Sequence, residues 1–591
     1  MKNIFKYLLI LIAATIIFAC ERDLNLLPLT EISEQVYFKS ENDFKLFANQ
    51  FYAQLPGFEI CSRDNWADIA FTRNNISNSS YIESEESSLW NDSYSNIRAT
   101  NILIDKVNSV NDSILKNKVL VYEGEAKFFR ALNYFNLLKD YGGVPIVDKV
   151  LGLNDKEILY GPRNSREEVI NFILKDLDDA IALPLGSLSG SDNEGRITKE
   201  AALAFKARVC LFEGTWRKYH QLSSDPNELL TQAIDAARQV LESSKYELFK
   251  RTDVLGDESY RYFFILENEV KSNPAGLTKN DQKENILVNK YNKKDRPGTY
   301  IAVTSGNLSP TKKMADMFLD KTGLPITHPN SVFKGHGFVI DTVTYKATNI
   351  EYLDRDPRMS NDFIPPFTQF WYHIPYDRHY ELTDERNTGC FNDGFWTSAT
   401  GYLVHKFIPE IGGNVGIDYP VIRLAEVMLI YAEATYEKYG SISDVDLDMS
   451  INKLRDRVDM PHLTNAFVQA NGLDMLEEIR RERTVELFAE GFRFDDLRRW
   501  GIAKTEMSMD VKGVKWAGTP FVAPFKVFNP VTGTVVTVDH SLKAFSTDAE
   551  GFALLEPASQ RQFQDKHYLF PLPLRQLTLN PKLEQNPGWM H

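Results

Sequence analysis

The sequence predicts a mainly α fold, a scaffold of packed helical pairs carrying a loop-rich irregular region with short strands. Three observations lead there. Helical periodicity fills two blocks, about 40–244 and 419–500, with strong helix formers, capping residues at the starts and Gly or Pro at the ends. Between them, about 245–418, the chain turns to Gly, Pro, Asn and short Tyr/Phe runs, with no long helical pattern except 310–319. The densest helical stretch is Leu476 to Trp500, LEEIRRERTVELFAEGFRFDDLRRW, free of Pro and long enough for about six turns.

At 591 residues, length alone leaves the domain count open, and 43% hydrophobic and 12% aromatic residues suffice for a large core. The net charge of −14 excludes the basic footprint of a general nucleic-acid binder and opposes electrostatic docking on anionic lipid. Cys20, Cys61, Cys210 and Cys390 are far apart and form no C-x-x-C pair, so neither a zinc site nor a disulfide framework is indicated.

In order, residues 1–19 read as an export signal. Lys2 and Lys6 precede an apolar or small run from Leu8 to Ala19, too short to span a bilayer. The run ends at Ala19-Cys20 before polar Glu21-Arg22-Asp23, a junction that resembles a bacterial lipoprotein acylation site at Cys20. Acyl chains there would anchor a soluble body to a membrane. Cleavage would remove two lysines and take the charge from −14 to −16. Residues 20–39 then form an extended tether, and 40–591 a single domain ending in an irregular segment, 501–591.

Ser40 with Asp43 offers a capping box for a helix through Phe44, Phe47 and Tyr52. From Pro56 to Leu89 the pattern dissolves into polar residues with interleaved aromatics, which argues for a functional loop region. Helices return at Trp90, assigned to the core, and at Glu123 to Tyr141, which stops at Gly142-Gly143-Val144-Pro145. Further helices are expected at 165–183, 198–216, 227–241, 419–439 and 445–458. Cys210, inside one of them, is read as a small buried hydrophobe.

On the Leu476–Trp500 helix, Leu476, Ile479, Arg483, Glu486, Leu487 and Glu490 share one face, and Val485, Phe488 and Phe492 form a second apolar stripe. A helix apolar on two sides is sandwiched, so its charges must be paired. Glu486 and Glu490, four residues apart, invite comparison with a general acid/base pair. Arg480, Arg481 and Arg483 lie within one turn, however, and are expected to keep both ionised, whereas a general acid needs a raised pKa.

The same stretch carries a resemblance. Glu482-Arg483, Glu486-Leu487, Glu490-Gly491, Arg493, Asp496-Leu497 and Arg499-Trp500 are similar to the ER..EL..EG.R..DL.RW signature of the SusD/RagB family, outer-membrane nutrient-binding lipoproteins of Bacteroidetes. Leu24–Ser33, EAKFFRALNYFNLLKDYGGVPIV, Arg196–Val209, Asp354–Arg358, YPVIRLAEVMLIYAEATYEK and the tail from Tyr568 also match. The resemblance implies tetratricopeptide-like packing of the helical pairs, although no clean 34-residue period is present. It also implies that the long charged helix is a core element and not a binding site.

Motifs of chemistry are absent: no P-loop, no dinucleotide fingerprint, no H-E-x-x-H and no nucleophile elbow. Asp444, Asp446 and Asp448 have calcium-loop spacing, but Met449 replaces the needed Gly and Arg455 the bidentate acid, so a helix N-terminus fits better. His328, His336, His373 and His379 are scattered through the middle region and do not define a metal set. What remains is aromatics in loops beside Asn and Arg, the composition that stacks on sugar CH faces and hydrogen-bonds sugar hydroxyls. The candidate ligand-binding residues are Trp66, Arg73, Asn75, Tyr81, Tyr300, Trp371 and Trp396, with Asn74 alongside. Any one of these rings could instead cover a satellite core under a loop.

The resemblance implies a lipid-anchored protein of the outer-membrane surface that captures a glycan and delivers it to a SusC-like TonB-dependent transporter. No catalytic residue, metal or cofactor and no nucleic-acid partner is implied. Two alternatives stay open from the sequence: a peptide- or glycopeptide-binding member of the same architecture, and a glycoside hydrolase using Glu486 and Glu490.

Overall fold

The computed structural model describes residues 38–72, 76–77, 80–152, 154–188, 190, 193–299, 307–368, 398–410, 415–529, 533–538 and 546–589. The signal segment, nearly all of the tether, and Cys20, Arg73, Asn74, Asn75, Tyr300, Trp371, His373, His379, Cys390 and Trp396 lie outside the described residues.

The principal helices of the N-terminal block are α1 (Glu41–Asn49), α2 (Ser88–Asn108), α3 (Ser113–Tyr141), α4 (Arg166–Ala182), α5 (Lys199–Tyr219) and α6 (Pro226–Glu242). Short helices α7 (Lys312–Met317) and α8 (Arg358–Asp362) punctuate the irregular middle. The second block holds α9 (Leu424–Tyr439), α10 (Asp444–Met449), α11 (Ile451–Arg457), α12 (Met475–Glu486) and α13 (Arg493–Arg499). Local chemistry sets many of the boundaries. Ser40 with Asp43 and Ser165 with Glu168 form complete capping boxes. Asp225 caps α6 with Pro226 in its first turn, and Gly440 ends α9 in the left-handed region.

The helices stack in sequence, α2 on α3, α3 on α4, α5 on α6, and α9 then packs on α6 and α12. This is the tetratricopeptide-like arrangement of helical pairs. Helix α3 is buried over most of its length, because neighbours cover it on both sides. One hydrophobic cluster runs from Phe44 to Leu583 and includes Trp90 and Cys210.

Among the described residues the strands are short and pair only in twos. They are β1 (Ala70–Phe71), β2 (Asn285–Asn289), β3 (Ser309–Pro310), β4 (Val339–Ile340), β5 (Ala347–Thr348) and β6 (Phe363–Ile364). The rest are β7 (Leu403–Val404), β8 (Tyr419–Arg423), β9 (Val511–Lys515), β10 (Phe525–Asn529), β11 (Thr534–Val538) and β12 (Phe552–Glu556). All six pairs are antiparallel: β1–β3, β2–β8, β4–β5, β6–β7, β9–β12 and β10–β11.

Three helical expectations are corrected. The 476–500 stretch is not one helix: α12 ends at Glu486 and α13 starts at Arg493. The break is a tight turn in which Ala489 (φ 61°) and Gly491 (φ 79°) take left-handed backbone. Gly491 is required there, because a Cβ would lie 2.3 Å from the carbonyl oxygen of Ile60. The segment expected as a helix from 419 begins as a strand, since Tyr419–Arg423 pairs with β2 and only Leu424 opens the helix. The 445–458 helix is divided at Ser450, whose ψ of −96° interrupts the turn between α10 and α11.

Candidate functional site

Two places bear on the candidate residues: the buried turn between α12 and α13, and the frame of described residues that flanks the predicted ligand segments.

Around the turn, Glu486 is fully buried and meets three guanidinium groups, Arg423 at 2.6 Å, Arg457 at 2.5 Å and Arg358 at 3.1 Å. Glu482 holds Arg358 and Arg455, and Glu490 holds Arg423 and Lys406. Glu284 reaches Arg423 and Arg457, while Asp356 holds Arg358. The count is five cations (Arg358, Lys406, Arg423, Arg455, Arg457) against five carboxylates (Glu284, Asp356, Glu482, Glu486, Glu490). A buried charge set persists only when balanced in this way.

Burial alone would raise the Glu486 carboxyl, but the fields of Arg457, Arg423 and Arg358 outweigh it and hold it far below the usual range. Glu490 is likewise lowered, burial being overcome by Arg423 and Lys406. The expectation of ionised, paired glutamates therefore holds, but its partners are corrected. Arg483 pairs with Asp496, Arg480 with Glu437 and Arg481 with Glu478, while Glu486 on α12 and Glu490 in the turn beyond it meet cations from other elements. A sixth acid, Asp362, is fully buried beside this set, and neither carboxyl oxygen has a hydrogen-bond partner. Burial pushes it up to about 8, so it stays protonated where a sixth negative charge would be unbalanced.

Neither glutamate has the raised pKa and access to substrate that a glycosidic general acid needs. The geometry gives Glu486 and Glu490 a structural role.

The second place is a frame of paired strands. Strand β1 joins β3 through Phe71 opposite Ser309 and Ala70 opposite Pro310. Asn65 donates its side-chain amide to the carbonyl of Asn307, and the backbone N–H of Ala399 donates to the Ser309 hydroxyl. Strand β6 pairs with β7, and the Val514 N–H donates to the carbonyl of Thr400. Gly298 donates to the carbonyl of Val415. These described residues flank segments 73–75, 300–306 and 369–397, which hold Arg73, Asn75, Tyr300, Trp371 and Trp396. The fold thus ties the roots of the segments together, although they are some 300 residues apart in sequence.

Trp66 and Tyr81 are described. Trp66 ends a 3-10 helix (Phe58–Trp66), half-buried, edge-on to Phe494 at 5.7 Å and Phe570 at 6.1 Å, with the Arg63 guanidinium 5.4 Å from its ring. Tyr81 packs on Phe570 at 5.4 Å and Trp589 at 5.8 Å. Both rings belong to one aromatic stack that joins the N- and C-terminal segments, so each carries packing that a free loop-tip platform would not.

Among the described residues no group of three or more His, Cys, Asp or Glu is arranged to hold a metal ion. His336 pairs with Glu351 at 3.1 Å, His328 lies 3.0 Å from the carbonyl of Asn471, and Asp444 opens helix α10 behind the Ser443 cap. No helix among the described residues is long and apolar enough to cross a membrane.

Comparison with known proteins agrees with this architecture. Residues 264–589 match the model of the SusD family, and residues 33–211 match a family described as starch-binding associating with outer membrane. SusD-like protein P38 of Formosa agariphila is 29% identical over 546 residues, covering 87% of this chain and 93% of that protein. SusD-like protein P25 of the same organism is 24% identical over 562 residues, covering 90% and 95%. A SusD-like carbohydrate binding protein from Bacteroides fragilis superposes with a TM-score of 0.69 at 21% identity, over 93% of this chain and 99% of that one. A laminarin binding SusD-like protein gives 0.54 at 18% identity, over 93% and 100%. At these identities the structural likeness speaks for the fold. The family match covers more than half of the chain, and the chain belongs to the SusD family.

Proposed function

We propose that this protein captures an oligosaccharide or polysaccharide at the cell surface and passes it, chemically unchanged, to a SusC-like TonB-dependent transporter of the outer membrane. Family membership carries this reading, together with the likeness of residues 33–211 to a family described as starch-binding associating with outer membrane. Names among its structural neighbours, carbohydrate binding and laminarin binding, point the same way. The stitched roots of the loop segments support a ligand face of aromatic platforms with Asn and Arg beside them, Trp371 and Trp396 being the principal platforms. Loops on a rigid helical frame are where recognition is installed without disturbing a core.

Native affinity electrophoresis against starch, laminarin, xylan, galactomannan, pectin and alginate would identify the ligand. Trp371→Ala and Trp396→Ala are each expected to weaken binding to the tightest of these about tenfold. Loss of a stacking partner, roughly 0.5–1.5 kcal/mol, plus its buried area, reaches the 1.4 kcal/mol of one decade. Failure of the unaltered protein to retard on any of the six polysaccharides would refute the glycan assignment.

Anchoring is proposed through Cys20, on the abrupt change from apolar Leu8–Ala19 to Glu21-Arg22-Asp23. Cys20→Ala should move the protein from the salt-washed membrane pellet to the soluble fraction. A variant that still pellets would dismiss acylation as the anchor.

A further inference from the structure

A cleft of about 600 Å3 opens between α7, Arg481 of α12 and residues 508–512, which run into the start of β9. It lies outside the aromatic loop segments and is lined only by described residues. Its surface mixes two kinds of lining. Met317, Met509 and Pro325 supply apolar area, and Asp316, Arg481, Thr327 and Ser508 supply polar groups.

Two of those polar groups are under-used. Asp316 gives one carboxylate oxygen to Lys312, while its other oxygen is buried with no hydrogen-bond partner. Arg481 donates from Nε to Glu478 at 3.2 Å, and from one terminal nitrogen only to the weakly accepting sulfur of Met317 at 3.8 Å. The unpartnered Asp316 oxygen is closed off from solvent, so what the cleft offers a ligand is the Arg481 fork with donors in reserve and the Asp316 oxygen held by Lys312. A sugar hydroxyl both donates and accepts, and sugar CH faces suit the methionines.

Every cation lining the cleft is paired with a carboxylate of the protein. Lys312 pairs with Asp316, Lys313 with Asp68 and Glu506, Lys512 with Asp510 and Asp548, and Arg481 with Glu478. No net positive field remains to select an anionic ligand, so a neutral polyhydroxyl ligand fits better.

The cleft also shares a wall with the loop frame. The Thr311 hydroxyl donates to the carbonyl of Asp68 at 2.8 Å, and its N–H donates to the carbonyl of Ile69 at 2.9 Å. Asp68 and Thr311 both line the cleft, Asp68 two residues before β1 and Thr311 directly after β3.

We propose that this cleft is a second saccharide subsite, and that the ligand is a neutral oligosaccharide long or branched enough to occupy the cleft and the loop face together. The proposal rests on the glycan-binding reading above and names the size and charge class of its ligand. Calorimetry on the full mature protein tests it, with the tightest polysaccharide of the panel and its oligosaccharides, from disaccharides upward. Thr327 is exposed at the rim, so Thr327→Trp should fill the cleft without touching the core. It is expected to weaken the longer ligands tenfold or more and to leave the disaccharide unchanged. Arg481→Gln should act in the same direction, whereas Trp371→Ala should weaken every length. If Thr327→Trp, at an unaltered melting temperature, binds the longer ligands as the unaltered protein does, the subsite is overturned while glycan binding stands. A preference for pectin or alginate over the neutral polysaccharides would overturn the charge assignment. Absence of binding to any glycan would overturn both proposals together.

Discussion

Replacement of Glu486 by alanine is expected to cost about 3–5 kcal/mol, the range found when one partner of a buried ion pair is removed. The reason is arithmetical as well as local. Five cations face five carboxylates, and without Glu486 three guanidinium groups lose a charged acceptor that a neutral group cannot balance. Glu486→Gln should recover little, since it restores shape but leaves five positive charges against four negative. Chemical denaturation reads the effect, and either variant unfolding within 1 kcal/mol of the parent would contradict the balanced-charge account.

The pH dependence has a definite sign. Glu486 is lowered in the folded protein, so its contribution is complete above the unfolded carboxylate range, about pH 4.3, and is lost as pH falls below it. Asp362 works in the opposite direction. Its proton, held in the folded state up to about pH 8, is released on unfolding above about pH 4, so its contribution to stability declines as pH rises through that window. The Glu486→Ala protein should lose part of the acid limb of the parent's stability profile.

The second large effect is expected at Gly491. An alanine there would set its Cβ 2.3 Å from the Ile60 oxygen while holding φ near 79°. Left-handed strain of about 1–2 kcal/mol and an overpacking cost of about 1–3 kcal/mol add to roughly 2–5 kcal/mol. Gly440→Ala is the control, since Gly440 has φ 67° with nothing within 4 Å of the added carbon. It carries the strain without the collision. Equal losses in the two variants would mean that the approach of Ile60 relaxes freely.

Those two glycines show where sequence is sufficient and where it is not. Gly440, Asp225-Pro226 and the Ser165–Glu168 box act within a turn of their own helix, so α4, α6 and the end of α9 are readable from neighbours alone. Gly491 is needed because of Ile60, a contact no periodicity can display, and so 476–500 looks like one helix. Tyr419–Arg423 reads as helix for a similar reason, since its strand character comes from β2, more than a hundred residues earlier. Burial of Glu486 follows from its helix-face pattern, whereas Glu490 sits in the turn beyond α12, and Arg358, Lys406, Arg423 and Arg457 come from separate elements that give no sign of their role. Aromatics beside Asn and Arg mark the proposed ligand segments in the sequence, but the packing of Trp66 and Tyr81 does not show there, because Phe494, Phe570 and Trp589 lie hundreds of residues further on. The cleft at Asp316 and Arg481 is built from separate segments with no shared motif, and only the fold assembles it.

The balanced charge set also constrains the order in which this chain can become itself. Its cations occupy 358–457, whereas Glu482, Glu486 and Glu490 arrive later in the sequence. A chain emerging from its N-terminus presents four arginines and a lysine with only Glu284 and Asp356 to answer them. The centre of the second helical block therefore closes only after residue 490 has been delivered. Loop closure over such sequence distances is slow and leaves apolar surface exposed meanwhile. Truncations ending before Glu482 should accordingly be aggregation-prone chains and not smaller folded domains.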